Sequence, residues 1–251
     1  MTLYMIGIGL WDETDITVKG LEAVEQCDKV FLESYTSKLG VDIKELEEFY
    51  GKKIIIANRD LVEKSADQIL EPAKTANVAL LVIGDVFGAT THTDLFLRAK
   101  EKEIDVVVIH NASILNAIGI VGLELYKYGK TTSIPYHNEK IETPYNIIKQ
   151  NQSVKMHTLC LLDIDAENNR YMTVKEAINY LLSVEEKKKD KVFTKNTKCI
   201  GVARLGSENP KIVYGTAEEL LKVDFGDPMH SLIVPSELHF IEEDAIKEFK
   251  K

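Results

Sequence analysis

The residues best placed to do chemistry lie in the stretch over 78–97, VALLVIGDVFGATTHTDLFL, where an unbroken apolar run ends in Gly84-Asp85. An apolar run over 78–83 closed by glycine reads as a strand buried on both faces, and parallel sheets bind ligands at the carboxyl ends of such strands. Gly84 allows a turn that a side chain would obstruct. Thr90, Thr91 and Thr93 bring hydroxyls near the first unpaired N–H groups of the helix that follows, and Asp85 adds a negative charge at the rim. Asp85 and the threonines suit a ligand site and plain helix capping equally well.

A second glycine pair, Gly7-Ile8-Gly9, follows the first apolar run and invites comparison with the dinucleotide fingerprint G-x-G-x-x-G. Its third position is Asp12, whose carboxylate would oppose a pyrophosphate at a helix N-terminus, so a nicotinamide cofactor is not expected. Trp11, a large ring in a polar loop, fits binding or packing. His92 reads as a partly exposed helix residue, His110 as a structural residue ending a strand, and His230 as a turn residue. The chain has no His-Glu-x-x-His, no Gly-x-Ser-x-Gly and no Walker pattern, which leaves metal hydrolysis, serine hydrolysis and P-loop chemistry unsupported.

The elements that would position these residues alternate regularly. Strands are expected over 3–8, 29–32, 53–57, 78–83 and 105–109, separated by helices over 16–26, 41–50, 61–75 and beyond Asp85. That alternation describes a five-stranded, mostly parallel sheet with helices on both faces, an N-terminal α/β domain over 1–110. A second α/β domain is expected over 111–251, opening with Ser113 as N-cap of a helical run over 114–128. It continues with strands over 132–135, 158–164, 199–205, 212–214 and 231–235, helices from Pro144, over 174–189 and over 217–222, and a tail from Leu238. Short strands with mixed connections predict a partly antiparallel sheet there.

Composition narrows the function classes. A chain of 251 residues, 45% apolar and 28% charged, can bury a sizeable core. No stretch approaches the roughly 18–20 apolar residues of a membrane span, and the start MTLYMIGIG lacks the features of a signal peptide, so a soluble, cytoplasmic protein is expected. Cys27, Cys160 and Cys199 read as core residues, with neither disulfides nor a metal site. A formal charge of −9 argues against nucleic-acid binding and points to a small-molecule or protein partner.

The segments IGIGLWDETDITVKGLE, GDVFGATTHTDL, IHNASILNAIG, TLCLLDIDAE, YMT, VARLGS and DFGDPMH, in this order along nearly the whole chain, resemble the diphthine synthases. These diphthamide-biosynthesis methyltransferases belong to a wider group with the tetrapyrrole methylases. The resemblance implies two α/β domains with the cofactor S-adenosylmethionine in the cleft between them, S-adenosylhomocysteine as product, and a homodimer. It further implies elongation factor 2 as protein substrate, its 3-amino-3-carboxypropyl-histidine being methylated repeatedly on the amino nitrogen. Carried over residue by residue, cofactor contacts fall on Leu10, Asp85, Gly88, Ser113, Ile114, Ile164, Leu205 and His230. No general base is implied, since the amine can lose its proton to water between rounds. The chain departs from the pattern at Val86, where the family has proline after Gly-Asp. Tetrapyrrole methylases carry Gly-Pro-Gly-Asp-Pro after the first strand, whereas here Gly9-Leu10-Trp11-Asp12-Glu13 follows. A tetrapyrrole methylase is the alternative enzyme reading, and a non-catalytic S-adenosylmethionine-binding module the alternative of another class.

Overall fold

A computed structural model describes residues 1–166 and 168–251. The chain forms two compact units, Met1–Ala117 and Ile118–Lys251, dividing a little beyond the expected 110/111. Residues just past 110 stay with the first unit because the Asn111 amide donates to the carbonyls of Gly7 (3.0 Å) and Asp15 (2.9 Å).

In the first unit, β1 (Thr2–Gly7), β2 (Lys29–Glu33), β3 (Ile54–Ala57), β4 (Val78–Val82) and β5 (Asp105–Ile109) form one sheet in the order β3-β2-β4-β1-β5. Every pairing is parallel. The apolar run of β4 shows why. Val78, Leu80 and Val82 enter one core with Ile69 and Leu70 of α3 (Asp67–Ala73) and Leu95 of α4 (Thr93–Glu101). Ala79 and Leu81 enter the opposite core with Val24 of α1 (Val18–Glu25) and Leu46 of α2 (Ile43–Tyr50). A strand apolar on both faces needs helices on both, and each of its buried leucines is worth about 2 kcal/mol of burial. The single helix expected over 61–75 is instead a π-helical turn, Asp60–Lys64, followed by α3, because the Ser65 N–H reaches back five residues to the Asp60 carbonyl (2.9 Å).

In the second unit, β6 (Thr132–Ile134), β7 (Thr158–Leu162), β10 (Lys198–Ala203), β11 (Lys211–Thr216) and β12 (His230–Val234) form a sheet in the order β11-β10-β12-β7-β6; β8 (Ile164–Asp165) and β9 (Arg170–Tyr171) make a separate hairpin. Only β6 and β7 pair in parallel within the larger sheet, which matches the expected mixed character. Tyr145 and Ile148 of α6 (Thr143–Ser153) and Ala177, Ile178 and Leu181 of α7 (Val174–Lys188) cover one of its faces. The capping box of Thr173 and Glu176 starts α7.

The helix expected over 114–128 is broken. It becomes α5 (Ile114–Ala117) and 3₁₀ turns at Ile118–Val121 and Leu125–Lys127. Gly122 sits between them at φ +86°, and a Cβ there would lie 2.3 Å from that of Ala245 in α9 (Phe240–Lys247), so both the turn and the packing of α9 need glycine. All three cysteines are buried and free. No helix among the described residues is long and apolar enough to cross a membrane.

Helix α9 is anchored by a buried carboxylate. Oε1 of Glu242 accepts from the Glu124 N–H (2.9 Å) and His157 Nε2 (3.0 Å), and Oε2 accepts from the His239 N–H (2.8 Å) and pairs with Lys127. Burial pushes the Glu242 carboxyl up, but these donors outweigh it and bring it down to about 2. Its contribution to stability is therefore complete above the ordinary glutamate value and is lost as pH falls toward 2. Glu242→Gln should lower stability at pH 7 by about 3 kcal/mol, since it leaves Lys127 without its counter-charge. In denaturant titrations across pH the gap from the parent should begin to close below about pH 4, where the carboxyl of the unfolded parent takes up its proton, and be nearly gone near pH 2. A gap that stays constant down to pH 2 would mean that the charge is not what anchors α9.

Candidate functional site

Strands β4, β1 and β5 are neighbours, and their parallel registers bring the segments 84–88, 7–10 and 110–114 to one edge of the sheet. Two glycines clasp the first two segments. The Gly84 N–H donates to the Gly9 carbonyl (2.6 Å) and the Gly9 N–H to the Gly84 carbonyl (3.3 Å), with φ of +83° and +82°. Both conformations are accessible to glycine and costly for other residues. Leu10 is placed by Asp15, whose Oδ2 accepts from the N–H groups of Leu10 (3.0 Å) and Trp11 (2.7 Å). Trp11 packs rather than projects: a Cβ on Gly40 would lie 2.3 Å from its ring.

Asp85 joins the segments 84–88 and 110–114, and Asn111 carries the link on to Gly7. Its Oδ2 accepts from the Phe87 N–H (3.0 Å), and its Oδ1 from the Asn111 N–H (3.0 Å) and His110 Nδ1 (2.8 Å). Its side chain is 15% exposed. Burial raises its pKa, but the two backbone donors and His110 prevail and the carboxyl lies below its ordinary value, so Asp85 is a carboxylate at neutral pH. Three protein donors leave about one acceptor position of the four on a carboxylate for an incoming group.

Asp85 does not cap α4, and the threonines do not either. The N-cap of α4 is His92, without a side-chain cap bond, and the Thr90 hydroxyl donates to the Val86 carbonyl (2.5 Å). His92 is buried, not partly exposed as expected: its Nδ1 faces the Val86 carbonyl at 3.3 Å and its ring meets Tyr35 edge-on. Gly88 serves packing first, since a Cβ there would lie 2.7 Å from that of Ser113. Ser113 is buried and begins α5 as expected, its Oγ accepting from the Leu115 N–H (3.3 Å) while the Asn116 side chain accepts from the Ser113 N–H (2.7 Å). Ile114 follows, half-buried. Leu10, Asp85, Gly88, Ser113 and Ile114 thus share one edge of the first unit's sheet.

The other three candidates share one end of the second unit's sheet. Leu205 follows β10, His230 opens β12 and Ile164 follows β7; Ala203 pairs with His230, and Leu161 with Ser231. Arg204, at φ +53°, donates through Nη1 to the carbonyls of Phe225 (2.8 Å) and Asp227 (2.7 Å), which shapes the loop before β12. His230 is buried, and its Nε2 meets the carbonyls of Gly226 and Asp227, each at 3.0 Å. Two carbonyl partners require Nε2 to carry the proton. Nδ1 is then an acceptor, and it is buried without a hydrogen-bond partner. Burial lowers the His230 pKa, keeping the ring neutral and that acceptor available.

The sequence profile of the Tetrapyrrole (Corrin/Porphyrin) Methylases matches residues 2–221. The diphthine methyl ester synthase of Dictyostelium discoideum is 48% identical over 100% of this chain and 98% of its own length. The diphthine synthase of Methanocaldococcus jannaschii is 46% identical over 98% of this chain and 97% of its own. The chain belongs to the tetrapyrrole methylases, within their diphthine synthase branch. A crystal structure of a diphthine synthase superposes with a TM-score of 0.92 at 39% identity, covering 100% of this chain and 96% of that one. The protein is accordingly an enzyme, a methyltransferase. These full-length relatives do not favour the alternatives of a tetrapyrrole acceptor or a non-catalytic module.

Within that branch, Val86 replaces the expected proline without loosening the turn. Its side chain is fully buried in the core and its carbonyl receives Thr90 and His92. Sequence reasoning passed over Asp15, Asn111, Arg204 and the contact of His110 with Asp85. The signal available for Asn111 was its place in the polar loop His110-Asn111-Ala112-Ser113, directly after an apolar strand.

Asparagine in place of Asp85 would keep only one of the two acceptor oxygens. Asp85→Asn should therefore strand at least one N–H donor and lower stability by about 1–3 kcal/mol, measured by denaturant unfolding. If Asp85 were an N-cap, asparagine would replace it at almost no cost, so a variant as stable as the parent would contradict the bracing described here.

Proposed function

We propose that this methyltransferase uses S-adenosylmethionine to methylate repeatedly the amino group of the 3-amino-3-carboxypropyl-histidine of elongation factor 2, working as a cytoplasmic homodimer. The observation that carries this reading is identity of 48% with a diphthine methyl ester synthase along the entire chain. The proposed cofactor contacts are Leu10, Asp85, Gly88, Ser113 and Ile114 in the first unit and Ile164, Leu205 and His230 in the second.

The residues suit such a cofactor. Asp85, ionised and with an acceptor position in reserve, favours a cationic or hydrogen-donating part of it. The unpartnered Nδ1 of His230 suits a hydroxyl or amino donor, because a buried acceptor left unpaired is costly. Gly84, where a Cβ would meet nothing closer than 3.8 Å, leaves the backbone after β4 open to a ligand. When bound, S-adenosylmethionine supplies a methyl group already activated by its sulfonium. The residues of the chain then have to hold the acceptor nitrogen in line and keep water out.

Incubation of the elongation factor 2 precursor with this protein and S-adenosylmethionine should raise the precursor's mass in methyl-sized steps, read by mass spectrometry. Binding without any methylated product would favour the non-catalytic alternative. S-adenosylhomocysteine at a hundred times its Kd should stabilise the fold by about 2.7 kcal/mol. His230→Phe, which removes the free acceptor, should weaken that binding roughly tenfold in calorimetry. An unchanged Kd would remove His230 from the site.

A further inference from the structure

We propose that His110 is the outlet for the proton that must leave the substrate nitrogen between successive methyl transfers, with Asp85 as the group that orients it. The inference rests on the reading of the enzyme as one that methylates a single amine repeatedly. Each transfer onto a primary or secondary amine yields an ammonium, and an ammonium has no lone pair with which to attack the next methyl group. Water could carry the proton off from an open site, but methyl transfer asks the site to exclude water. A group that touches both the interior and the solvent resolves that conflict.

The geometry points to His110. It directly follows β5 at the edge where the proposed cofactor contacts of the first unit gather, and its Nδ1 lies 2.8 Å from Oδ1 of Asp85. A carboxylate partner fixes the proton on Nδ1, so Nε2 carries the free lone pair. The groups facing the ring are the Asp85 carboxylate and, on one side, the Phe87 ring at 6.4 Å between centroids, both from the segment after β4. The side chain is 69% exposed, in contrast to His92, His157 and His230, which are all buried. A proton accepted at Nε2 can therefore pass directly to bulk water.

The step balances. The N–H bond of the methylammonium breaks, its proton bonds to Nε2, and the electron pair stays on nitrogen. That pair bonds to the methyl carbon of a fresh S-adenosylmethionine as the carbon–sulfur bond breaks, its electrons going to sulfur. The imidazolium then releases its proton to solvent.

The test uses His110→Gln, whose amide still donates to Asp85 but accepts no proton, and His110→Ala. With the elongation factor 2 precursor at pH 7, His110→Gln should add the first methyl at a rate within about twofold of the parent. It should accumulate monomethylated product, with later transfers slowed by roughly a hundredfold, the low end of what a positioned proton acceptor contributes. Raising the pH should restore the later transfers, and added imidazole should restore them in His110→Ala. The Kd for S-adenosylhomocysteine and the Tm of His110→Gln should match the parent, which separates proton removal from mere positioning. Parental product distribution in His110→Gln, or a loss equal at every step and pH together with weakened cofactor binding, overturns the inference while leaving the proposed function intact. A parent protein that methylates no precursor overturns both.

Discussion

An ionised carboxylate that has been partly withdrawn from water must be surrounded by donors, and at Asp85 those donors come from two different loops. The Phe87 N–H lies on its own segment, whereas His110 and the Asn111 N–H lie on the segment after β5. Asn111 in turn reaches the carbonyls of Gly7 and Asp15, and Asp15 holds the N–H groups of Leu10 and Trp11. One charge thus sets the relative placement of the ends of three strands. A positively charged partner alone would not do this, because directional N–H donors fix angles as well as distances. The arrangement also explains how Val86 can stand where proline is expected. Ring rigidity is unnecessary where hydrogen bonds and a buried side chain hold the turn already.

The parallel sheet was legible because its signal is local and periodic: five short apolar runs with helical patterns between them, the central one apolar at every position from Val78 to Val82. The break of the run over 114–128 was less legible. Its residues are apolar enough for a helix, and what stops it is Gly122 meeting Ala245, more than a hundred residues away in sequence. The same limit applies to the site. Asp85 and Ser113 stand out beside glycines and at helix starts, so motif and position expose them. Asp15 holds N–H groups four and five residues back and Asn111 reaches a distant loop; the polar stretch after β5 marks where Asn111 lies, but nothing beside either residue announces its partners. Gly88, a cofactor contact by resemblance, also needs to be glycine for a reason its sequence does not show, the close approach of Ser113.

Burial sorts the histidines by role. His157 uses both ring nitrogens, Nδ1 accepting from the Ser236 N–H and Nε2 meeting Glu242, so it is spent on anchoring α9. Burial lowers the pKa of His157, His92 and His230 alike, and each stays neutral in the fold at neutral pH. A neutral ring with a committed Nε2–H, as in His230, is a fixed acceptor suited to recognition. It is poorly suited to proton transfer, since protonation would place an uncompensated charge in an apolar setting. His110 differs on both counts, with water on one side and a carboxylate on the other.

That contrast bears on what repeated methyl transfer asks of a protein. The donor is already activated, so holding the nitrogen in line is most of the chemistry, and a braced strand edge suits that task. Bracing alone would favour a single transfer, because a tight, dry site retains the proton that each round leaves behind. A carboxylate that rigidifies the edge and also orients an exposed imidazole meets both needs with one residue. It does so only while it remains ionised, which the N–H groups of Phe87 and Asn111 ensure. The same two hydrogen bonds that fix the loops therefore keep Asp85 in the charge state that a proton outlet requires, and neither role could be altered without disturbing the other.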